Sequence, residues 1–280
     1  MQPIDGHTKL LGLFGDPVEH SFSPQLHNYI SEVYGLNYAY GALHVKPKNL
    51  EAAVRGIVAL GYAGVNVTAP HKIAVMQYLD CISEDAKKYG SVNTIKNVDG
   101  KLYGYSTDAD GFYLSLLEGG AEVIGKDVLI FGAGGATRPV CVKFAMLGAK
   151  SITIINRTQE KADALAAFVK DACAYEVLTK REHSRYDLVI NTTTVGMSPN
   201  VDACPINDFS FVDANTAAAD MIYNPAETVF LRKMKENGAK VCINGLGMLI
   251  FQGIVAYEIF TDTKIDRSIY KDIKREVFGL

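Results

Sequence analysis

The sequence predicts an α/β protein of two domains. A mixed α/β unit comes first, a unit wound about a parallel sheet follows, and helices at the C-terminal end pack back on the first. Three observations carry this prediction. Residues 127–131 (DVLIF) form an apolar run that leads into a glycine-rich turn, an amphipathic stretch ending near Gly148 and a second apolar run at residues 151–155 (SITII); this is the pattern of a βαβ unit. Ahead of it, residues 10–105 alternate strand-like and helix-like periodicity, and behind it lie two helical stretches at residues 247–260 and 266–278. A length of 280 residues is enough for two separate cores.

In order, residues 10–15 are apolar enough for a central strand, 24–34 have helical period and 38–45 alternate again. Residues 49–60 read as a helix burying Ala52, Ala53, Val54, Ile57 and Val58, stopped by Gly61. A strand at 64–68 and a pair of helical stretches follow. Residues 92–97 and 101–105 then flank Val98-Asp99-Gly100, an Asp-Gly hairpin signal. A helical connector from Asp108 leads to Gly119 and Gly120, where the boundary is expected: domains at residues 1–120, joined by 246–280, and at 121–245. Further strands of the second domain are expected at 188–192 and 217–221.

Composition excludes several functions. A net charge of −3 without a basic run speaks against a nucleic-acid or anionic-membrane partner. The chain has no long uncharged apolar stretch and no leader-like pattern at its start, which predicts a cytoplasmic protein. Five cysteines, Cys81, Cys141, Cys173, Cys204 and Cys242, stand singly, as reduced thiols do. The six histidines, including His20, His27 and His44, match no zinc spacing, so no metal is expected.

The turn Gly132-Ala133-Gly134-Gly135-Ala136 follows a strand and opens a helix. Small residues there let backbone N–H groups approach a pyrophosphate, and the helix terminus adds partial positive charge. This marks the second domain as Rossmann-like. An NAD site places Asp or Glu at the end of the second strand, about 20 residues on, to bind the ribose 2′-hydroxyl. This chain has Asn156-Arg157-Thr158 instead, a guanidinium and a hydroxyl that suit a 2′-phosphate. NADP is the expected cofactor.

Four polar clusters lie in the first domain at strand ends. Ser21-Phe22-Ser23-Pro24 could bind a carboxylate or cap the helix that Pro24 opens. Asn66 to Lys72 ends a strand in polar residues and then sets a lysine at the start of the next helix, where a cation opposes the helix dipole. Lys72 is therefore the leading candidate for a catalytic group, a solvated surface lysine being the alternative. Asn93 and Asp108, at the two outer ends of the hairpin, could supply an amide and a carboxylate to a polyhydroxylated substrate, and Asp108 could also cap the following helix.

Together these clusters resemble the shikimate dehydrogenase family over almost the whole chain. The resemblance rests on S-x-S-P at Ser21 and Ser23, N-V-T-x-P-x-K from Asn66 to Lys72, V-N-T at Val92 and T-D at Thr107. It continues through G-A-G-G-A at Gly132, N-R-T at Asn156, N-T-T-T-V-G-M at Asn191, D-M-I-Y-N-P at Asp220, and G-x-G-M-L at Gly245 with Gln252 beyond. It implies that Ser21 and Ser23 hold the substrate carboxylate and that Thr68, Asn93, Asp108 and Gln252 bind its ring hydroxyls. Lys72 paired with Asp108 is implied as the acid/base catalyst. Gly132, Ala133, Gly134, Gly135 and Ala136 are implied at the pyrophosphate and Asn156, Arg157 and Thr158 at the 2′-phosphate. Tyr223 and Gly245 are implied beside the nicotinamide and the substrate.

The implied activity is NADP-dependent interconversion of 3-dehydroshikimate and shikimate, in the biosynthesis of chorismate and the aromatic amino acids, by a monomer or homodimer. A quinate/shikimate dehydrogenase using NAD as well is the alternative within the class, and a non-catalytic NADP-binding sensor the alternative outside it; the intact Lys72 and Asp108 speak against the latter. Three departures from the family pattern stand out: Ser106 where Asn is usual, and Thr137 and Pro139 where alanine is commoner. Tyr270-x-x-x-Lys274 has the spacing of the short-chain dehydrogenase pair but reads as a solvated helix face.

Overall fold

The computed structural model describes residues 4–280, so the first three positions of the predicted first domain lie outside the described residues. The chain divides into two compact units, one running to Thr107 and taking in Ile250–Leu280, the other Asp108–Leu249. The first opens with β1 (Lys9–Gly15), α1 (Ser23–Val33), β2 (Tyr38–His44), α2 (Leu50–Ala59) and β3 (Gly64–Val67). It continues with β4 (Cys81–Ile82), α3 (Glu84–Tyr89), β5 (Thr94–Val98) and β6 (Lys101–Tyr105). The sheet order is β2-β1-β3-β5-β6-β4. β2, β1 and β3 are parallel, whereas β5 runs antiparallel to β3 and β6 antiparallel to β5. Positive φ at both Asp99 and Gly100 makes the hairpin connection the type I′ turn that Asp-Gly signals.

Two local expectations need correction. Helix α2 buries Leu50, Val54 and Ile57, the i, i+4, i+7 stripe, while Ala52 is exposed on the opposite face and Val58 is exposed at the flank of the stripe. Of the two helical stretches expected between β3 and β5, only α3 is α-helical; the other is a 3₁₀ turn, Ala74–Tyr78.

The second unit begins with α4 (Asp108–Glu118) and contains β7 (Asp127–Phe131), α5 (Thr137–Leu147), β8 (Ser151–Ile155) and α6 (Gln159–Cys173). Strands β9 (Leu188–Asn191) and β10 (Ala217–Asp220), helix α7 (Val229–Glu236) and strand β11 (Val241–Ile243) complete it. All five strands are parallel, in the order β11-β10-β9-β7-β8. The order reverses at β7, so ligands are expected beyond the carboxyl ends of β7 and β9.

Helix α8 (Leu246–Thr261) contributes to both units, and α9 (Ile269–Phe278) belongs to the first. The boundaries therefore fall at Thr107/Asp108 and Leu249/Ile250, not at Gly120 and residue 246. Helix α4 goes with the second unit because its buried face packs there: Phe112 stacks on Phe144 at 6.2 Å, and Asp110 pairs with Lys143 at 2.7 Å. In the first unit, Tyr257 of α8 meets Ser31 of α1 at 2.8 Å, and Tyr270 of α9 stacks on Phe251 at 4.7 Å. That packing gives Tyr270 a structural role. Among the described residues no helix is long and apolar enough to cross a membrane, and no group of side chains could hold a metal ion.

The core of the first unit encloses a histidine. His27 is fully buried, stacked flat on Tyr40 at 4.3 Å, and neither ring nitrogen has a hydrogen-bond partner. Burial drives its pKa down from 6.5 to about 3; Asn66 nearby opposes this weakly. The unfolded chain thus takes up a proton below pH 6.5 that the folded chain refuses. Stability is retained above that value and lost as the pH falls, by about 1.4 kcal/mol per unit, or about 2 kcal/mol at pH 5. His27→Phe keeps the ring contact and removes the titration. Denaturation midpoints between pH 7 and 5 should fall less steeply in this variant, and an unchanged slope would assign the acid sensitivity elsewhere.

Candidate active site

Strand register gathers the polar clusters of the first unit at one edge of its sheet. Gly15 pairs with His44, Phe14 with Val67, Asn66 with Thr94, and Thr94 with Tyr105. The carboxyl ends of β1, β2, β3 and β6 and the amino end of β5 therefore coincide, and Ser21, Thr68, Asn93 and Thr107 all follow or precede them within a few residues.

A buried hydrogen-bond network underlies this edge. Tyr40 donates from its hydroxyl to Asn66 Oδ1 at 2.8 Å, while Asn66 Nδ2 donates to the Asn93 carbonyl at 3.1 Å and to Thr94 Oγ1 at 3.0 Å. Burial holds the Tyr40 phenol well above its ordinary pKa, so it stays a donor. Asn93 Oδ1 accepts the Thr107 backbone N–H at 2.8 Å and its Nδ2 donates to Thr107 Oγ1 at 3.0 Å. Asn93 thus grips the residue covalently joined to Asp108. Nothing in the order of residues marks Asn66 and Tyr40 as a pair, since only the pairing of the strands brings their side chains together.

Lys72 is half-buried and sits in a turn, two residues ahead of the 3₁₀ segment. It does not start an α-helix, so the helix-dipole argument for its function falls. Its backbone is pinned nonetheless: the Lys72 carbonyl accepts Val92 N–H at 2.8 Å, and the neighbouring, buried His71 donates from Nε2 to the Val45 carbonyl at 2.6 Å. Thr68 is fixed by its N–H on the Phe14 carbonyl at 2.8 Å.

Neither serine of the first cluster caps α1. Phe22 stands in the capping position without a side-chain cap, and Ser21 Oγ instead accepts Ser23 N–H at 3.2 Å and bonds Ser23 Oγ at 3.1 Å. The two hydroxyls lie together at the start of a helix whose first turn holds Pro24 and no acidic residue. That arrangement suits an anion.

In the second unit, Gly132 has φ +115, and a Cβ there would lie 2.5 Å from Thr192 Oγ1; no other residue fits. Gly134 and Gly135 are exposed, with nothing within 4 Å of where a Cβ would stand. Thr137, in the place of the third glycine, is fully buried; its hydroxyl accepts Gly134 N–H at 3.2 Å and bonds Thr192 Oγ1 at 2.7 Å. It braces the turn against the end of β9, which explains that departure. Beyond β8, Asn156 Nδ2 donates to the Thr158 carbonyl at 2.8 Å, Arg157 is exposed and makes no ion pair among the described residues, and the Thr158 hydroxyl makes no cap bond. An open glycine turn at a helix start, with an uncommitted guanidinium at the next strand end, fits a phosphorylated dinucleotide.

Gly245 lies against the Met221 carbonyl so closely that a Cβ would overlap it, and its N–H donates to the Ile222 carbonyl at 3.0 Å. The facing loop is held by Asp220, fully buried, which accepts from Thr228 Oγ1 at 2.7 Å, Ile222 N–H at 3.0 Å and Asn191 Nδ2 at 3.1 Å. Burial raises its pKa against those bonds. Tyr223 then projects at 40 % exposure. Lys72, Ser21, Ser23, Thr68, Asn93 and Gln252 thus belong to the first unit, and Asp108, Tyr223, Gly245 and the glycine turn to the second.

Residues 13–95 match the family model of the shikimate dehydrogenase substrate binding domain, and residues 117–202 that of shikimate / quinate 5-dehydrogenase. The shikimate dehydrogenase (NADP(+)) of Methanococcus aeolicus is 45% identical over 274 residues, 96% of this chain and 98% of its own. The chain belongs to the shikimate dehydrogenase family. Among solved structures, a shikimate dehydrogenase in complex with NADP+ has a TM-score of 0.89 at 44% identity, covering 96% of both chains. The Listeria monocytogenes shikimate 5-dehydrogenase in complex with shikimate and NAD has a TM-score of 0.91 at 34% identity, covering 98% of both. Family membership accounts for the two-unit architecture, with a substrate domain first and a Rossmann-like domain second.

Proposed function

We infer that the chain is an NADP-dependent shikimate dehydrogenase, interconverting 3-dehydroshikimate and shikimate in the biosynthesis of aromatic amino acids. The observation that supports this reading is the register of the first sheet, which brings to one edge the strand ends that lead into Ser21 and Ser23, into Thr68 and Lys72, and out of Asn93. NADPH, when bound, supplies the hydride. Gly132, Ala133, Gly134, Gly135 and Ala136 would hold its pyrophosphate and Asn156, Arg157 and Thr158 its 2′-phosphate, with Tyr223 and Gly245 beside the nicotinamide and substrate. Lys72 holds a proton at Nζ, stabilises the growing charge on the ketone oxygen and hands the proton over; in the oxidative direction it accepts the hydroxyl proton. Asp108 is its proposed partner, and Thr68, Asn93 and Gln252 the proposed ligands of the ring hydroxyls. A cytoplasmic location, supported by five cysteines that form no disulfide among the described residues, and a monomeric or homodimeric state complete the proposal.

Turnover with shikimate and quinate, each with NADP and with NAD, tests it. The highest kcat/KM is expected for shikimate with NADP. The second reading is a quinate/shikimate enzyme using either cofactor, its cofactor part motivated by the NAD bound in the Listeria relative, and comparable turnover of all four pairs would establish it instead.

Ser21 and Ser23 are the proposed carboxylate clamp. Replacing both by alanine removes hydrogen bonds made equally in ground and transition states, so KM for shikimate should rise while kcat changes little. Bonds to a charged group contribute about 1.5–3 kcal/mol, so a rise of roughly ten- to a hundredfold is expected. An unchanged KM would reduce the pair to a local turn.

A further inference from the structure

We propose that His44 is a positioning residue for the substrate carboxylate, holding the loop that carries Ser21 and Ser23 against the end of β2 through its hydrogen bond to Asp16. The proposal rests on the carboxylate reading of those serines.

Residues 16–22 connect β1 to α1 without regular structure. Their internal bonds are short-range: Val18 N–H donates to Glu19 Oε2 at 3.1 Å, and Ser21 N–H to the Val18 carbonyl at 3.1 Å. Such bonds shape the loop without placing it on the sheet. Three features do place it. Asp16 N–H donates to the Ala69 carbonyl at 3.1 Å, Val18 is buried, and His44 Nε2 donates to Asp16 Oδ1 at 2.6 Å. Among the described residues, the last is the only side-chain hydrogen bond tying residues 16–22 to a strand.

His44 is placed for this task by pairing. It is the last residue of β2, opposite Gly15, the last of β1, and Val45 N–H donates to the Gly15 carbonyl at 2.9 Å. The imidazole leaves the sheet exactly one residue from where the loop begins, and its Nδ1 stands 4.0 Å from Glu19 Oε1. One ring thus faces two carboxylates of the loop, from the strand that does not belong to it. The Ala69 carbonyl lies in the segment between Thr68 and Lys72, so the same loop is fixed on one side by the lysine-bearing segment and on the other by His44. Loss of the His44 bond leaves the Ala69 bond and the buried Val18 side chain, so the loop keeps its root on the lysine-bearing segment but loses its side-chain tie to β2, and the serine hydroxyls are held less firmly.

His44 and Asp16 are 42% and 32% exposed at their side chains, so substitution there spares the core. His44→Ala is expected to raise KM for shikimate about two- to fivefold, the order an exposed pair supports, with kcat and KM for NADP unchanged. Asp16→Ala should match it, Asp16→Asn should recover much of the loss because its amide oxygen still accepts, and the double alanine variant should be no worse than either single change. Additive effects, a parallel fall in kcat, or a wild-type KM in His44→Ala would overturn the proposal. The Ser21/Ser23 double variant separates the two readings. If it raises KM and His44→Ala does not, only the positioning role falls; if it leaves KM unchanged, the carboxylate reading falls and the role of His44 with it.

Discussion

Replacing Lys72 by alanine is expected to lower kcat by roughly 10²- to 10⁴-fold, the usual contribution of general acid/base transfer, while substrate binding weakens far less. Charge on the substrate oxygen grows only as the hydride moves, so a cation that meets it acts mainly in the transition state and its loss falls on kcat. The change should not unfold the protein. Lys72 is half-buried, and the bond that pins its segment runs from its backbone carbonyl to Val92, which alanine retains. Steady-state kinetics on variant protein with wild-type circular dichroism checks this, and a kcat near that of wild type would remove Lys72 from the chemistry. Asp108→Asn, measured alongside, reports on the proposed partner: coupling is present if the double variant is no slower than Lys72→Ala alone.

Arg157→Ala should weaken NADP by roughly ten- to a hundredfold and leave NAD nearly untouched. The guanidinium engages the 2′-phosphate through charge-assisted bonds worth about 1.5–3 kcal/mol, and no counterpart exists on NAD. Arg157 is exposed and has no ion pair among the described residues, so its removal breaks nothing in the fold. The kcat/KM ratio for the two cofactors in wild type and variant decides the matter. Equal losses for both, or a wild-type preference for NAD, would return the 2′ position to the dual-cofactor reading.

The parts of this fold legible in the sequence are those whose residues carry the answer locally. The strand at Asp127–Phe131, its glycine turn and the strand at Ser151–Ile155 form one continuous pattern, and Asp99-Gly100 dictates its hairpin. Pairs such as β4, two residues long, and β11, three, hold too few positions for a period to register. Helices α6 and α7 are different, because Ala162, Leu165 and Val169 in α6 and Phe230, Leu231 and Met234 in α7 do repeat at helical spacing. Both helices are therefore legible in the spacing of the apolar residues that follow the second strand.

The glycine pair at residues 119–120 and the division of the compact units at Thr107/Asp108 do not coincide, for a physical reason. Gly119 and Gly120 break the chain visibly, but a unit ends where packing ends, and the partner of Phe112 is Phe144, more than thirty residues away. The site was legible as a set of residue types and not as a structure. Ser21, Asn93 and Lys72 stood out by their chemistry, whereas Tyr40, Asn66 and His44 acquire meaning only once Tyr40 reaches β3, Asn66 reaches β5, and His44 meets the loop after β1.

The openness around Gly134 and Gly135 bears on how this protein could be engineered. Neither has a positive φ, and a methyl group at either would touch nothing. Glycine-to-alanine changes at such compatible positions commonly add about 0.4–1 kcal/mol by restricting the unfolded chain. A thermostability campaign scored on melting or expression would therefore select them. Yet these are the two places where backbone is proposed to meet pyrophosphate, so the added methyl groups would stand where the ligand must approach. Stability and cofactor affinity are set against each other at these two residues, and selection on the first alone would drift toward a sturdier, inactive protein.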